Sequence, residues 1–302
     1  MRNEVEMNTS KILDRVYKDA EIINFNDDSK FILFSDTHRG DNSLSDDFAH
    51  NQNIYYYALN YYFNKGYSYI EVGDGDELWE HSKFDHLRFA HSETYCLLKK
   101  FYDVNRFIML YGNHNMSFKY EKCVRKNLDY FYDEYEEKEQ ELFKGINVHE
   151  AIVLKHEKTG KEIFITHGHQ GDFINYQIWF IMKLISRYIW RFLNIIGFRN
   201  PASPAKNRIK RHKIEKVYSK WIGNNKKMMI IGHTHRPKFP HNGESSYFNT
   251  GCCVHPRNIT GIEIYCGMIS LIEWRIRPTE NGTLEISKKN IKGPFKTDDY
   301  MY

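Results

Sequence analysis

A chain of 302 residues with 41% hydrophobic and 27% charged side chains has the balance of a water-soluble globular protein and enough material for a substantial core. A net charge of +4 is too small to imply a nucleic-acid partner by itself. Five cysteines (Cys96, Cys123, Cys252, Cys253, Cys266), odd in number and without a C-x-x-C pair, argue against a disulfide framework and for reduced thiols in a cytosolic setting.

Residues 1–26 read as a polar lead-in with a short helix near 10–17 and no apolar segment of the kind a secretory signal needs. An apolar strand follows at 31–36, then a loop at 38–45, a helix at 46–64, a strand at 67–73, a helix at 82–101 and a strand at 105–111. This β-α-β-α-β alternation predicts an α/β fold with a partly parallel sheet, whose ligands belong at the C-terminal ends of the strands. Residues 116–144 read as helix, with the acidic run 133–141 on a solvated face. Strands at 148–155 and 162–166 flank Lys158-Thr159-Gly160-Lys161, a hairpin signal. Further strands fall at 228–232, 247–250, 262–276 and 283–289, with Asn281-Gly282 as the last hairpin turn. The strand-rich second half predicts a second sheet packed on the first, and the whole chain, 1–302, reads as one domain.

The segment 173–225 interrupts this pattern as a helical insert. Its first half, 173–198, is nearly all apolar and aromatic, with Lys183, Arg187 and Arg191 on one helical stripe. Three cations mid-segment, at about 2.5–3.5 kcal/mol each near a bilayer centre, argue against spanning and for an amphipathic helix with a wide apolar face. Asn200-Pro201-Ala202-Ser203-Pro204 breaks the chain, and a basic helix with Lys206, Arg208, Lys210, Arg211, Lys213, Lys216 and Lys220 follows. Two readings stand: a helical hairpin packed on the sheet with a solvated basic face, or a lid offering apolar surface to acyl chains or a membrane and cations to phosphate. The basic stretch lacks aromatic interleaving except Tyr218 and Trp221, which argues against nucleic acid.

The chemistry lies at the strand ends. Phe31-Ile32-Leu33-Phe34-Ser35 runs into Asp36-Thr37-His38, and Ile70-Glu71-Val72 into Gly73-Asp74. Ile108-Met109-Leu110-Tyr111 runs into Gly112-Asn113-His114, Ile163-Phe164-Ile165-Thr166 into His167-Gly168-His169, and Met228-Met229-Ile230-Ile231 into Gly232-His233-Thr234-His235. Residues i and i+2 of an extended segment point the same way, so His233 and His235 are expected to face one site. Two divalent metals about 3.5–4 Å apart can generate a bridging hydroxide and stabilise both ends of an in-line phosphoryl displacement. Such a pair needs a bridging carboxylate, neutral imidazoles and amide or carboxylate oxygens, which Asp36, His38, Asp74, Asn113, His167, His233 and His235 supply. Glycines 73, 112 and 232 suit sharp turns where backbone passes close to the ligands. His114 is placed to bind a phosphoryl oxygen or protonate the leaving group. His169 is ambiguous between supporting and ligating, with His167 ahead of it.

The set D-x-H, G-D, G-N-H, H-G-H and G-H-T-H, spread over residues 31–252, resembles the calcineurin-like metallophosphoesterase superfamily. The resemblance implies a four-layer α/β/β/α sandwich of two mixed sheets around a dinuclear centre of Mn²⁺, with Fe or Zn²⁺ as alternatives. It implies one metal on Asp36, His38, Asp74 and His235 and a second on Asp74, Asn113, His167 and His233. Gly73-Asp74-Gly75-Asp76-Glu77-Leu78-Trp79 and Gly232-His233-Thr234-His235-Arg236-Pro237 are similar to the G-D-x-x-E-x-W and G-H-T-H-R-P of UDP-diacylglucosamine pyrophosphatases, whose acyl-binding lid occupies the place of the insert. Trp79, Asn113, His114 and Arg236 are thereby expected to bind substrate. His114 stands where that group tends to carry Arg, Asn115 replaces its usual acid, and His169-Gln170-Gly171 separates H-G from Asp172.

The function expected is metal-dependent hydrolysis of a phosphodiester or pyrophosphate bond, on a UDP-linked acyl sugar or similar amphiphile. A soluble nucleotide phosphodiesterase or general phosphatase is the alternative, ahead of a nuclease. The expected partner is a phosphorylated small molecule or lipid-linked substrate. The expected location is the cytoplasm, with residues 173–198 touching the inner face of a membrane.

Overall fold

The computed structural model of the chain describes residues 2–190 and 208–302. The expected break at 200–204, together with Arg191 and Lys206, lies outside the described residues. The elements begin with helix α1 (Arg2–Lys18), strands β1 (Glu21–Phe25) and β2 (Lys30–Phe34), α2 (Gln52–Asn64) and β3 (Ser68–Val72). Helices α3 (Phe84–Ala90) and α4 (Ser92–Asp103), β4 (Phe107–Leu110) and α5 (Glu121–Leu128) complete the first half. Then come β5 (Tyr130–Asp133), β6 (Lys138–Glu141), β7 (Val148–His149), β8 (Ala151–His156) and β9 (Glu162–Thr166). Helices α6 (Phe173–Gln177), α7 (Trp179–Ile185) and α8 (Arg208–Asn225) are followed by β10 (Met228–Ile231), β11 (Tyr247–Asn249), β12 (Asn258–Tyr265), β13 (Met268–Pro278) and β14 (Leu284–Lys296).

Among the described residues the strands form two large mixed sheets and one small hairpin. One sheet runs β14-β13-β12-β2-β3-β4-β7, parallel from β2 to β7 and antiparallel elsewhere. The other runs β1-β8-β9-β10-β11, with β8-β9 its antiparallel pair. The two-residue period of the strands sorts their side chains into three apolar layers. Phe31, Leu33, Ile70, Val72 and Leu110 meet Ile152, Leu154, Ile163, Ile165 and Ile230 between the sheets. Ile32, Phe34, Tyr69 and Met109 point the opposite way, onto Tyr55, Leu59 and Tyr62 of α2 and Leu98 and Phe101 of α4. Val153, Phe164, Met229 and Ile231 pack on Leu13 and Val16 of α1 and Tyr218, Trp221 and Ile222 of α8. Three cores between four layers make the α/β/β/α sandwich. Each fully buried Ile, Leu or Phe in them contributes roughly 1.5–3 kcal/mol of transfer free energy.

Several sequence expectations are corrected. The helix expected near 10–17 is longer, running over Arg2–Lys18 and burying Leu13 and Val16, and the lead-in adds β1, which pairs in parallel with β8. Helix α2 begins at Gln52, because the Asp46 carboxylate folds the preceding loop, accepting from the Gly40, Asn42 and Phe48 amides. The helix expected at 82–101 divides at His91, whose ring turns inward to Asp46 at 2.8 Å. Residues 116–144 are not one helix. After α5 the alternation Tyr130-Phe131-Tyr132 builds a hairpin, turned by Asp133 Oδ1 accepting from the Tyr135 and Glu136 amides. The strand expected at 148–155 is two, since β7 joins one sheet and β8 the other. The strand expected at 262–276 is also two, parted by Cys266 and Gly267, both with positive φ. The insert's first half is not one continuous helix: α6 and α7 are separated at Ile178, and a wider π-helical turn spans Ser186–Trp190. Among the described residues, no helix is long and apolar enough to cross a membrane.

Candidate metal centre

The donor residues sit just beyond the C-terminal ends of β2, β3, β4, β9 and β10, where both sheets open to the same rim. His233 and His235 do converge with the acids, but not because the chain stays extended. Asp36, His38, Asp74, His233 and His235 all have left-handed backbones, with φ of 52°, 48°, 51°, 62° and 54°. Such a conformation costs a non-glycine residue of order 1–3 kcal/mol and persists only where surrounding structure imposes it. Main-chain bonds do so here: the Asp36 amide donates to Gly73 O at 3.1 Å and the His38 amide to Asp74 O at 2.9 Å.

Among the described residues two groups of ligand atoms lie at the heart of the site, Asp36, His38 and His235, and Asp74, His167 and His233, and a third joins His38 to Glu77 and His114, the atoms of each within 4.8 Å of one another. Asp36 Oδ1 lies 3.1 Å from His235 Nε2 and 3.8 Å from His38 Nε2. Asp74 Oδ2 lies 3.0 Å from His167 Nε2 and 3.9 Å from His38 Nε2, so it stands between the groups. Asn113 is buried, with Oδ1 unpartnered. His114, at the more open mouth, places Nδ1 2.6 Å from Glu77 Oε2. Trp79 is buried and stacks on the His114 ring at 4.2 Å and 22°. Arg236 is half-exposed and lies 3.5 Å from Glu215 of α8.

The donors are aimed by a second ring of contacts. His167 Nδ1 donates to Val72 O at 2.9 Å and His38 Nδ1 to Glu77 Oε2 at 2.9 Å, leaving both Nε2 atoms facing the site. Asp36 Oδ2 accepts from Ser35 Oγ and from the His233 amide, which turns Oδ1 inward. Two glycines make room. A Cβ on Gly112 would fall 2.2 Å from Asp74 Oδ1, and one on Gly73 2.6 Å from the His167 ring.

Asn113 Oδ1 is buried without a hydrogen-bond partner, and Asp36 Oδ1, His167 Nε2 and His233 Nε2 are buried with ion-pair neighbours but no contact of hydrogen-bond geometry. An unsatisfied buried polar atom costs about 1–3 kcal/mol. Asp36, His167 and His233 fall in groups with metal-ligand spacing, and the chemistry of the set (imidazole and carboxylate, with the amide oxygen of Asn113) suits first-row divalent metals. His169 is fully buried with both ring nitrogens unpartnered, its ring 5.4 Å from that of His167.

The electrostatics agree. Burial opposes the charge on Asp36, yet the imidazoles of His235 and His167 overcome it and hold the carboxyl well below its usual range. Burial opposes ionisation of Asp74 too, and His167 and His114 outweigh it. Against its own burial, His235 is pushed up to about 10 by Asp36. Burial, and then the neighbouring His167 and His233, depress His169 well below the usual imidazole value. The site is thus a pocket of carboxylate charge that draws in positive charge.

A ligand that binds only the native state stabilises it by mass action, about 2.7 kcal/mol at a hundredfold excess over Kd. At roughly 2–4 °C per kcal/mol, Mn²⁺ at that excess should raise the thermal midpoint by about 5–10 °C. Differential scanning fluorimetry reads this directly. EDTA should reverse the rise and Asp36→Asn should blunt it; no response to any divalent ion would remove the metal from the site.

Sequence reasoning missed the supports. Arg39, almost fully buried, pairs bidentately with Glu71 (2.6 and 3.0 Å) and through Nε with Asp76 Oδ1 (2.9 Å). The available signal was Glu71 itself, an acid inside the apolar run Tyr69–Val72, which demands a buried cation. Asp172 is buried, with Oδ2 3.6 Å from His233 Nε2.

No protein-family model matches the chain, and no curated protein does. Among solved structures, the crystal structure of Chaetomium thermophilum Vps29 aligns over 87% of this chain and 96% of that one, at 11% identity and a TM-score of 0.35. A point mutant of a cold-active protein tyrosine phosphatase aligns over 88% of this chain and 83% of that one, at 12% identity and a TM-score of 0.37. Similarities at that level define neither a family nor an activity.

Proposed function

We propose that the chain is a metal-dependent phosphoesterase of the calcineurin-like kind, hydrolysing a phosphodiester or pyrophosphate bond. The observation that carries the reading is the gathering of carboxylate and imidazole atoms from the ends of β2, β3, β9 and β10, across two sheets, into groups with metal-ligand spacing. Asp36, His38, Asp74 and His235 would hold one divalent ion and Asp74, Asn113, His167 and His233 the other, with Mn²⁺ first and Fe or Zn²⁺ as alternatives. Bound there, two such ions supply a nucleophile at neutral pH and offset charge developing on the phosphoryl oxygens. The protein's own residues do the rest. The Glu77 carboxylate lies against the His114 ring, Oε2 2.6 Å from Nδ1 but without hydrogen-bond geometry, and His114 Nε2 would meet the phosphoryl group or protonate the leaving oxygen. Asn113 orients the same group, and Trp79 and Arg236 border it.

The substrate reading adds an amphiphile, a UDP-linked acyl sugar or something similar. Its support is the insert. Phe180, Ile181, Leu184, Tyr188 and Ile189 are exposed on α7 and the turn after it, and Arg187 of that turn bonds to the loop carrying Trp79. Apolar surface therefore lies beside the mouth, as a lid or as a face for acyl chains or a membrane. A screen of the Mn²⁺-loaded protein against phosphomonoesters, phosphodiesters and UDP-linked acyl sugars tests both levels. No turnover of any of them would end the hydrolase reading, and turnover of small esters alone would favour a soluble phosphodiesterase. Ile181→Ser with Leu184→Ser should raise KM for the acylated substrate by roughly tenfold or more, since each buried aliphatic side chain is worth about 1.5–3 kcal/mol. KM for a small diester should stay put; equal loss on both would make the insert purely structural.

A further inference from the structure

Arg187 lies in the π-helical turn that follows α7. Its Nε donates to Trp79 O at 3.1 Å, and its Nη2 to Leu78 O at 3.0 Å and to His81 O at 2.9 Å. All three acceptors are main-chain carbonyls of one turn. That turn also carries Glu77, whose Oε2 lies 2.9 Å from His38 Nδ1 and 2.6 Å from His114 Nδ1. Glu77 Oε1 accepts from the Trp79 and Glu80 amides, each at 3.3 Å. The Trp79 indole in turn lies against the His114 imidazole, nearly parallel, at 4.2 Å. One unbroken path of contacts thus runs from the insert, through a guanidinium and a short turn, to the ring of His114.

We propose that Arg187 is a positioning residue: by clasping the carbonyls of Leu78, Trp79 and His81, it holds the Trp79 indole against His114, so that seating the insert and orienting that imidazole are one event. The proposal rests on His114 as the substrate-facing histidine, the reading given above. Its logic is geometric. A planar guanidinium reaches three carbonyls at fixed angles, whereas a lysine ammonium at the end of a flexible stem acts as a point charge. Without the clasp the turn exchanges its carbonyl partners for water, the indole is released, and His114 regains rotamer freedom. The loss then falls on every substrate, including small ones that never touch the apolar face. An insert that merely bound acyl chains would not behave in this way.

The test begins with the metal-free full-length protein, by NMR of its histidine ring protons, with His114→Ala assigning the His114 signal. Stacking under an indole shifts those protons upfield. In Arg187→Ala they should move downfield towards the value they take in Trp79→Ala, and Arg187→Lys should recover only part of the shift. The signal of His91, which is buried against Asp46, should stay put and report an intact fold. In the Mn²⁺-loaded protein, kcat for a small chromogenic phosphodiester should fall about tenfold in Arg187→Ala with KM little changed, the size expected for losing charge-assisted hydrogen bonds. An unmoved His114 signal in Arg187→Ala, beside an unmoved His91 signal, overturns the proposal. If Arg187→Ala does not fold, Arg187→Lys carries the same comparison. A moved His114 signal in a protein that hydrolyses no phosphate ester would keep the positioning role and discard the hydrolase reading.

Discussion

Asp74→Asn is expected to leave the protein folded and to cut hydrolysis of a chromogenic phosphodiester by about 10³-fold or more, the several kcal/mol that charge stabilisation by a bound metal is worth. The change is isosteric. The remaining carbonyl oxygen can still accept from the His114 amide, as Asp74 Oδ1 does at 2.8 Å, so the turn after β4 keeps its anchor. What disappears is the negative charge between the two donor groups, where Oδ2 lies 3.0 Å from His167 and 3.9 Å from His38. Steady-state kinetics at saturating Mn²⁺, with circular dichroism as the check on fold, measure both halves of the claim. Full activity in Asp74→Asn would refute the two-ion site, whatever became of the other ligands.

The largest stability effect is expected at Arg39. Burial opposes its charge, but Asp76 and Glu71 outweigh burial and raise the guanidinium above its usual value. Tyr55 and Tyr69 join the cluster: Arg39 Nη1 donates to Tyr55 Oη at 3.5 Å, and Tyr69 Oη donates to Glu71 Oε2 at 3.1 Å. Arg39→Met leaves the Glu71 and Asp76 carboxylates buried without their cation, and breaking such a pair costs about 3–5 kcal/mol. Denaturant unfolding should show that loss, and Glu71→Gln added to Arg39→Met should restore part of it by removing one stranded charge. A loss under about 1 kcal/mol would mean the cluster is as solvated as a surface ion pair. The candidate metal centre is tied to the same cluster. Arg39 follows His38, Asp76 lies two residues beyond Asp74, and the two form an isolated backbone bridge, so one ion network pins both ligand loops.

An α/β fold with a second sheet packed on the first, and the candidate donors at the strand ends, were legible from local pattern, whereas the four layers came from the family resemblance. Apolar runs ending in Gly-Asp, Gly-Asn-His or Gly-His-Thr-His state which strands are buried and where their polar tips emerge. Long-range partners decided what was not legible. His91 ends α3 through its bond to Asp46, far away in sequence. The 148–155 run divides between sheets because Met109 and Leu110 claim Val148 and His149, while β1 and β9 claim the residues after Glu150. The hairpin β5–β6 was hidden by its own acids, since the run 133–141 is as compatible with a solvated helix as with a turn. At the site, the expected common orientation of His233 and His235 assumed extended backbone. The left-handed residues that direct them are imposed by tertiary bonds, such as the His233 amide donating to Asp36 Oδ2 at 2.9 Å.

The donors are divided between the two halves of the sandwich: Asp36, Asp74 and Asn113 stand on the β2-β3-β4 side, and His167, His233 and His235 on the β9-β10 side. The spacing across the pocket is therefore gauged by the thickness of the greasy filling between the halves, above all Leu33, Ile70, Ile165 and Ile230. That filling acts as a shim. Shaving or padding it, well out of reach of any ion, would alter the clearance in the pocket without touching a single ligand.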